Sequence, residues 1–371
     1  LPLKSQLSEL TKLLDKKVIV QCTHDHGEFI SPIFLREKKD RSSWRVILNL
    51  KGLNKFVEDQ HFKMETLETV FKLMKPGAFA GSLDLKDAYY SVPIHDSHTK
   101  YLKFSFGGKL YKFVALPNGL KSGPRIFTKL MRVLFSELRK KGLESSIYLD
   151  DVYLQGDTSA LCQANILTTA KWLMKFGFVI HPVKSVFYPT RLITHVGFSI
   201  NLEAMTVSIP HEKAERVRAA CETLLTCARS PIREVARVIG SLVACFPATR
   251  HGKLHYRNLE LDKISALRNA KGKYDKYMVL TPKAVSDLHW WIEFLQSPQP
   301  RPLVPPPASK CILSDASDTG WGGVVRDTDL TAGGLFTEAE QSLHINAKEI
   351  LGAFFCLKAF CKCDSDTHVK L

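Results

Sequence analysis

The chain has 371 residues, 45% hydrophobic and 24% charged, which is enough apolar material for a packed core in two or three domains and excludes wholesale disorder. Lys plus Arg number 52 and Asp plus Glu 37, a net charge of +15. With no run of roughly 20 apolar residues to cross a membrane, such a surplus points to nucleic acid as the partner. Leu1 to Lys17 are polar and amphipathic with no signal-peptide core. The nine cysteines are scattered, mostly in apolar surroundings, and read as buried free thiols of an intracellular protein. Neither Cys361-Lys-Cys363 with His368 nor Cys22-Thr-His24-Asp-His26 has the spacing of four tetrahedral zinc ligands. A start without Met and a stop at Leu371 inside a strand-like run suggest a piece of a longer polyprotein.

In chain order, residues 1–200 alternate short β-rich runs with amphipathic helices, an α+β pattern. Within Ala80 to Ser91, Asp84 ends a strand-like run, and Lys86 to Tyr90 can form one helical turn. Within Leu116 to Phe127, Ser122 can cap a helix and Pro124 can occupy its first turn. Phe127, Leu130, Met131, Leu134, Phe135 and Leu138 then make its buried stripe. Gly119 and Gly123 let the preceding loop approach a nucleotide closely.

The densest chemical signal is Ile147 to Leu154, in which two apolar triplets bracket Asp150 and Asp151, as in a hairpin whose tight turn carries both acids. Adjacent strand residues point to opposite faces, so two neighbouring Asp reach one site only at such a turn. An isolated Asp-Asp is most often an ordinary turn. The β-forming flanks and a third acid, Asp84, 66 residues before Asp150, weigh against that here. Three oxygen-only ligands suit Mg²⁺, which takes its remaining ligands from water and substrate phosphates. Two such ions about 4 Å apart, with Mn²⁺ able to substitute, would activate a primer 3′-hydroxyl and stabilise the leaving pyrophosphate.

Residues 201–297 read as helical, with Ala214, Val217, Cys221 and Leu224 on one face. Between Arg229 and Lys283, twelve Lys/Arg stand against four Asp/Glu, which favours a phosphate-tracking surface over a merely solvated one. Residues 298–308 form a proline-rich, extended linker. Residues 309–371 begin a second α/β unit: Lys310 to Val325 reads as strand, turn and strand, and His344 to Phe355 as the start of an amphipathic helix.

These segments resemble the palm of a reverse transcriptase: an Asp84 motif in LDLKDAYY, the loop LPNGLKSGP and the YLDD box. Pro32 to Val46 is similar to the retroviral fingers segment, Gly177 to Ser185 to the motif with a catalytic lysine, and His195 to Ile200 to the primer grip. Six motifs in order over residues 28–200 carry the likeness, and the DIRS-type retroelements resemble it most. The resemblance implies a right-hand polymerase fold: fingers and palm in 1–200, a basic helical thumb and connection in 201–297, then a partial ribonuclease H-like domain. It implies that Lys38 and Arg45 hold the triphosphate, that the amides of Asp87 and Ala88 contact phosphate, and that Tyr89 is a steric gate against a ribose 2′-hydroxyl. Lys184 would protonate the leaving pyrophosphate. Asn118 stands where retroviral enzymes have glutamine, which leaves open its sugar or base contact.

In the second unit the resemblance to ribonuclease H makes Asp315 the first-strand aspartate and Glu349 the helix glutamate, with Asp318 a turn residue. The third carboxylate would follow His368 to Leu371, so RNA cleavage is expected to be inefficient. The implied activity is RNA-directed DNA polymerisation by a nucleotidyltransferase of a retrotransposon. Its partners are an RNA template, a DNA primer or RNA–DNA hybrid, and dNTPs. The alternatives weighed are a catalytically silent nucleic-acid-binding relic and an RNA-dependent RNA polymerase. The second is disfavoured by Tyr89 and by Tyr-Leu-Asp-Asp in place of Gly-Asp-Asp.

Overall fold

A computed structural model describes residues 3–37, 44–305, 307–365 and 367–371. Contacts divide the chain into two compact units, Leu1–Leu303 and Val304–Leu371.

At the centre of the first unit is an antiparallel sheet whose strands run in the order Val186–Thr190, Phe79–Lys86, Asp151–Gly156, Ser145–Tyr148, with Val179–Ile180 added against the end of Phe79–Lys86. Alternation along Phe79–Lys86 sends Leu83 and Leu85 into a core shared with Phe127, Met131, Ile166 and Leu173, which come from the helices Gly123–Lys140 and Ser159–Lys175. The second helix lies almost on the sheet. A Cβ on Gly81 would come 2.4 Å from Ile166 Cδ1, so only glycine permits that approach. The other sheet face, at Ala80 and Tyr153, is covered by a second core that includes Ile193, Phe198, Val217, Val235 and Trp291. Tyr153 is fully buried, and Asp84 and Asp151 lie toward the opposite end of their strands.

The Gly123–Lys140 helix departs from expectation in two details. Leu130 is 38% exposed, so the buried stripe is Phe127, Met131, Leu134, Phe135 and Leu138. Ser122 occupies the cap position but its side chain makes no capping bond. Its backbone is already in the right-handed helical region rather than the extended one a capping hydroxyl needs.

A third core joins the N-terminal helix Leu3–Asp15, through Leu10 and Leu13, to the hairpin Ile33–Glu37/Trp44–Leu48 and to the three-strand sheet of Ile19–Cys22, Lys109–Phe113 and Lys103–Phe106. Residues 201–297 hold the helices His211–Thr226, Ile232–Val243, Arg257–Asn269 and Pro282–Gln296. Part of the proline-rich segment is sheet: Arg301–Pro302 pairs with Val207 and Thr206 as an edge strand. Pro is admissible there because an edge position leaves its missing N–H unneeded.

The second unit is a four-stranded sheet in the order Thr331–Leu335, Gly320–Val325, Lys310–Ala316, Val369–Lys370, with the last pair parallel. The helix Ile345–Phe360 packs on it through Cys356 against Ile312 and Val325. All nine cysteines are free thiols. Cys162, Cys221, Cys245 and Cys356 are buried, whereas Cys227 and Cys363 are exposed.

Candidate active site

The Ser145–Tyr148/Asp151–Gly156 hairpin closes with Tyr148 paired to Asp151. Its two turn residues are therefore Leu149 and Asp150, and Asp151 is the first residue of the returning strand. Leu149 takes a left-handed backbone, φ 55°, which is unusual for a residue with a side chain and is what a two-residue turn matching the strand twist demands. On the other side Asp151 pairs in register with Asp84. Directly opposite residues send side chains to the same face with Cβ atoms about 5 Å apart. Sequence positions 84 and 150–151 thus meet at one corner of the sheet, and the backbone ties them further: the Leu85 amide donates to the Asp150 carbonyl at 3.0 Å.

Asp84 is held from both chain directions. Its amide donates to the Ser185 hydroxyl at 3.0 Å, and its carbonyl accepts from the His181 amide at 2.8 Å. The same segment brings Lys184 Nζ to 4.0 Å from Asp84 Oδ2. Lys184 therefore belongs to this corner.

Electrostatically the corner is strained. Burial pushes the Asp151 carboxyl up to about 6; the Asp150 and Asp84 charges add to the rise and Lys184 opposes it. Like charges sharing a half-buried site raise a carboxyl in this way, and a cation relieves them. The donor set of hard carboxylate oxygens therefore fits divalent magnesium. Among the described residues, no three His, Cys, Asp or Glu side chains converge as a formed metal cage. Asp150, on the turn, also lines the neighbouring cleft.

That cleft, about 420 Å³, is bordered by Asp150, Ala88, Tyr89, Asn118, Trp44 and Lys16, a size suited to a nucleotide-scale ligand. Its floor is the single 3₁₀ turn Ala88–Ser91, entered through Asp87 in the left-handed region (φ 53°). Tyr89 packs edge-on against Phe127 with ring centroids 5.2 Å apart, so its ring has a fixed place. Burial, with the Asp150 charge second, pushes its hydroxyl up to about 12, and it stays a neutral phenol. Exposed Asn118 donates a long 3.5 Å contact to the Tyr90 hydroxyl. The loop around it is clamped by Asn54, whose side chain donates to the Gly119 carbonyl and accepts from the Lys121 amide, both at 2.9 Å.

Of the other sequence candidates, Lys38 lies outside the described residues, and Arg45 is paired in register with Arg36 in the Ile33–Glu37/Trp44–Leu48 hairpin. His195 is buried beside Tyr153, and burial lowers its imidazole to about 4. The Val196–Gly197 turn that follows has positive φ at both residues. In the second unit Asp315, opposite Gly322, and Glu349 are both exposed. The backbones approach closely one turn beyond Glu349, where a Cβ on Gly352 would sit 3.4 Å from the Asp315 carbonyl. Asp318 lies in the turn and accepts 3.0 and 3.2 Å bonds, at its carboxylate and its carbonyl, from the buried Lys348.

Sequence reasoning missed Ser185 as the support of Asp84, Asn54 as the loop clamp, and the whole contribution of the N-terminal helix. The 12/16 lysine pair, spaced one turn apart, was the available signal for the last.

Residues 36–200 match the family model described as reverse transcriptase (RNA-dependent DNA polymerase). The chain is 26% identical over 187 residues to Polyprotein P3 of Commelina yellow mottle virus, covering 47% of this chain and 10% of that polyprotein. Among solved structures it is similar to the foamy viral protease-reverse transcriptase dRH in complex with dsDNA, with TM-score 0.66 and 17% identity over 99% of this chain and 62% of the other. A foamy viral protease-reverse transcriptase with RNA/DNA hybrid aligns with TM-score 0.63 and 17% identity over 100% of this chain and 48% of the other. The chain thus spans about three fifths of the first of these structures and a tenth of the polyprotein. Its fold is the reverse transcriptase polymerase fold, and the stretch similar to the reverse transcriptase family model is residues 36–200.

Proposed function

We propose that this chain is an RNA-directed DNA polymerase that adds deoxynucleotides to a primer 3′-hydroxyl. The single observation that carries the reading is the in-register pairing of Asp84 with Asp151 beside the Asp150 turn, at the mouth of a nucleotide-sized cleft. Asp84, Asp150 and Asp151 would hold two magnesium ions. When bound, the ions supply an activated hydroxyl and charge neutralisation at the leaving phosphates.

The protein's own groups do the rest. Ser185 and the His181 amide fix the Asp84 backbone. Lys184, beside Asp84, is a cation placed to give a proton to departing pyrophosphate. The amides of Asp87 and Ala88, with Lys38 and Arg45, would bind the triphosphate. The ring of Tyr89, pinned by Phe127, would exclude a 2′-hydroxyl, and Asn118 would contact the nucleotide from the clamped loop.

In this reading residues 1–200 are fingers and palm, 201–297 thumb and connection, 298–308 a linker, and 309–371 a ribonuclease H-like unit that carries Asp315 and Glu349. The chain acts inside the cell, on RNA templates and RNA–DNA hybrids. It belongs to a DIRS-type retrotransposon and forms part of a longer polyprotein.

Primer extension with dNTPs and Mg²⁺ on an RNA template tests this. Extension by the wild-type chain and none by Asp150→Asn is expected. Wild-type activity no higher than that variant's background would leave the nucleic-acid-binding relic as the surviving reading.

A further inference from the structure

Two cations in the cleft, Lys12 and Lys16, belong to no recognised motif. The N-terminal helix Leu3–Asp15 packs Leu10 and Leu13 into the core of the Trp44–Leu48 hairpin. That packing delivers the residue just past its end, Lys16, to the cleft wall. Its Nζ lies 2.6 Å from Asp87 Oδ2, across 71 residues of sequence. Asp87 is the residue whose left-handed backbone turns the chain into the Ala88–Ser91 floor. Of the charged side chains around the cleft, Lys12, Lys16 and Lys86 are cationic and Glu9, Asp87 and Asp150 anionic, so their formal charges cancel.

Resting on the polymerase reading above, we propose that Lys16 is a nucleotide-affinity determinant acting through Asp87. Its ammonium neutralises a carboxylate that otherwise faces the polyphosphate of the incoming nucleotide, and it holds the Asp87 turn whose amides meet that polyphosphate. Lys16 is a positioning residue. It neither touches the reacting atoms nor transfers a proton. Without it the cleft carries an uncompensated negative charge, and a nucleoside triphosphate bearing about four negative charges enters against repulsion. Lys16 and Asp87 side chains are 48% and 42% exposed, so the effect is modest and fades as salt rises.

The test uses the full chain and two readouts. Equilibrium binding of dTTP is followed by tryptophan fluorescence, since Trp44 lines the cleft. Steady-state extension of an oligo(dT) primer on poly(rA) gives KM and kcat separately. Lys16→Gln should weaken dTTP binding and raise KM roughly threefold to fivefold at low salt, with kcat changed far less, and Lys16→Arg should behave as wild type. The double variant Lys16→Gln/Asp87→Asn, which removes the orphaned charge, should recover most of the lost affinity. Unchanged affinity in Lys16→Gln, or a double variant no better than the single, overturns the inference. A wild-type chain that binds dTTP yet extends no primer would sink the polymerase reading while leaving the Lys16 comparison intact. A wild-type chain that binds no triphosphate overturns both.

Discussion

Two charged clusters in the first unit use the same chemical groups to opposite ends. Around Lys103, whose side chain is fully buried, Glu28 and Asp25 close ion pairs at 2.6 and 2.8 Å, and the Thr23 carbonyl accepts a further bond at 2.7 Å. Burial alone would lower the Lys103 ammonium; its bonds to Asp25 and Glu28 outweigh burial and raise it. The bond to Lys103 first, then those from His24 and the Asp25 amide, pull Glu28 down to about 2. At the Asp84/Asp151 corner the acids crowd one another, Lys184 stands 4.0 Å from Asp84, and Asp151 rises to about 6. A satisfied cluster lowers its acids and holds the fold. A frustrated one raises an acid and has unspent affinity for a cation. The sign of the shift separates scaffold from site better than the presence of charge does.

The largest expected effect tests that division directly. Asp84→Asn and Asp150→Asn should each cut primer extension by on the order of a thousandfold or more, the scale of losing several kcal/mol of transition-state stabilisation. Both should leave the chain folded by circular dichroism. Retained extension in either variant would mean the corner is scaffold after all.

Lys103→Met should do the reverse. It removes the one partner shared by two acids and so destabilises the chain by about 3 kcal/mol in urea unfolding. Extension by the fraction still folded should stay near normal. Loss of extension with stability intact would place Lys103 in the site and erase the contrast.

His195 sharpens the comparison with a buried group that has no charge partner shifting it. Its imidazole is lowered to about 4 by burial, so the folded state resists the proton that the unfolded chain accepts near 6.5. The stability this neutral ring contributes is complete above pH 6.5 and is lost as pH falls from there toward 4. The loss is about 3 kcal/mol if no other group compensates. Unfolding measured across that window should show the slope in wild type, and His195→Phe should flatten it.

How much of this was legible beforehand depends on the range of the interactions. The Asp84 and Asp150–Asp151 segments announced themselves because strand alternation and turn chemistry are local, and a hairpin fixes its own register. That Asp151, and not the turn residue, would face Asp84 depends on register between residues 67 apart in sequence, which no local pattern encodes. Lys16 and Ser185 were hidden for the same reason. Each acts on a residue far along the chain, and a lysine past a helix end reads as solvated until packing shows where the helix points. The exposed Leu130 was misread because one helical stripe was drawn too wide, and the sheet covers only part of it.

The smallest expected effect is on stability at the corner itself. Asp151 is only partly buried, so solvent screening reduces what its shift is worth. A carboxyl held at about 6 in the fold and near 3.8 when unfolded costs folding free energy once it is charged. Stability therefore falls as pH rises from about 4 to 6 and stays reduced above that. Asp151→Asn removes the charge and should stabilise the chain by about 1 kcal/mol at pH 7.5 after that discount, a gain that vanishes near pH 4, while polymerisation is lost. Saturating Mg²⁺ should raise the wild-type melting temperature and narrow the gap to the variant, because a bound cation relieves the same repulsion. A variant no more stable than wild type at pH 7.5, with Mg²⁺ shifting neither, would show that the corner is not electrostatically strained and remove the physical ground for placing cations there.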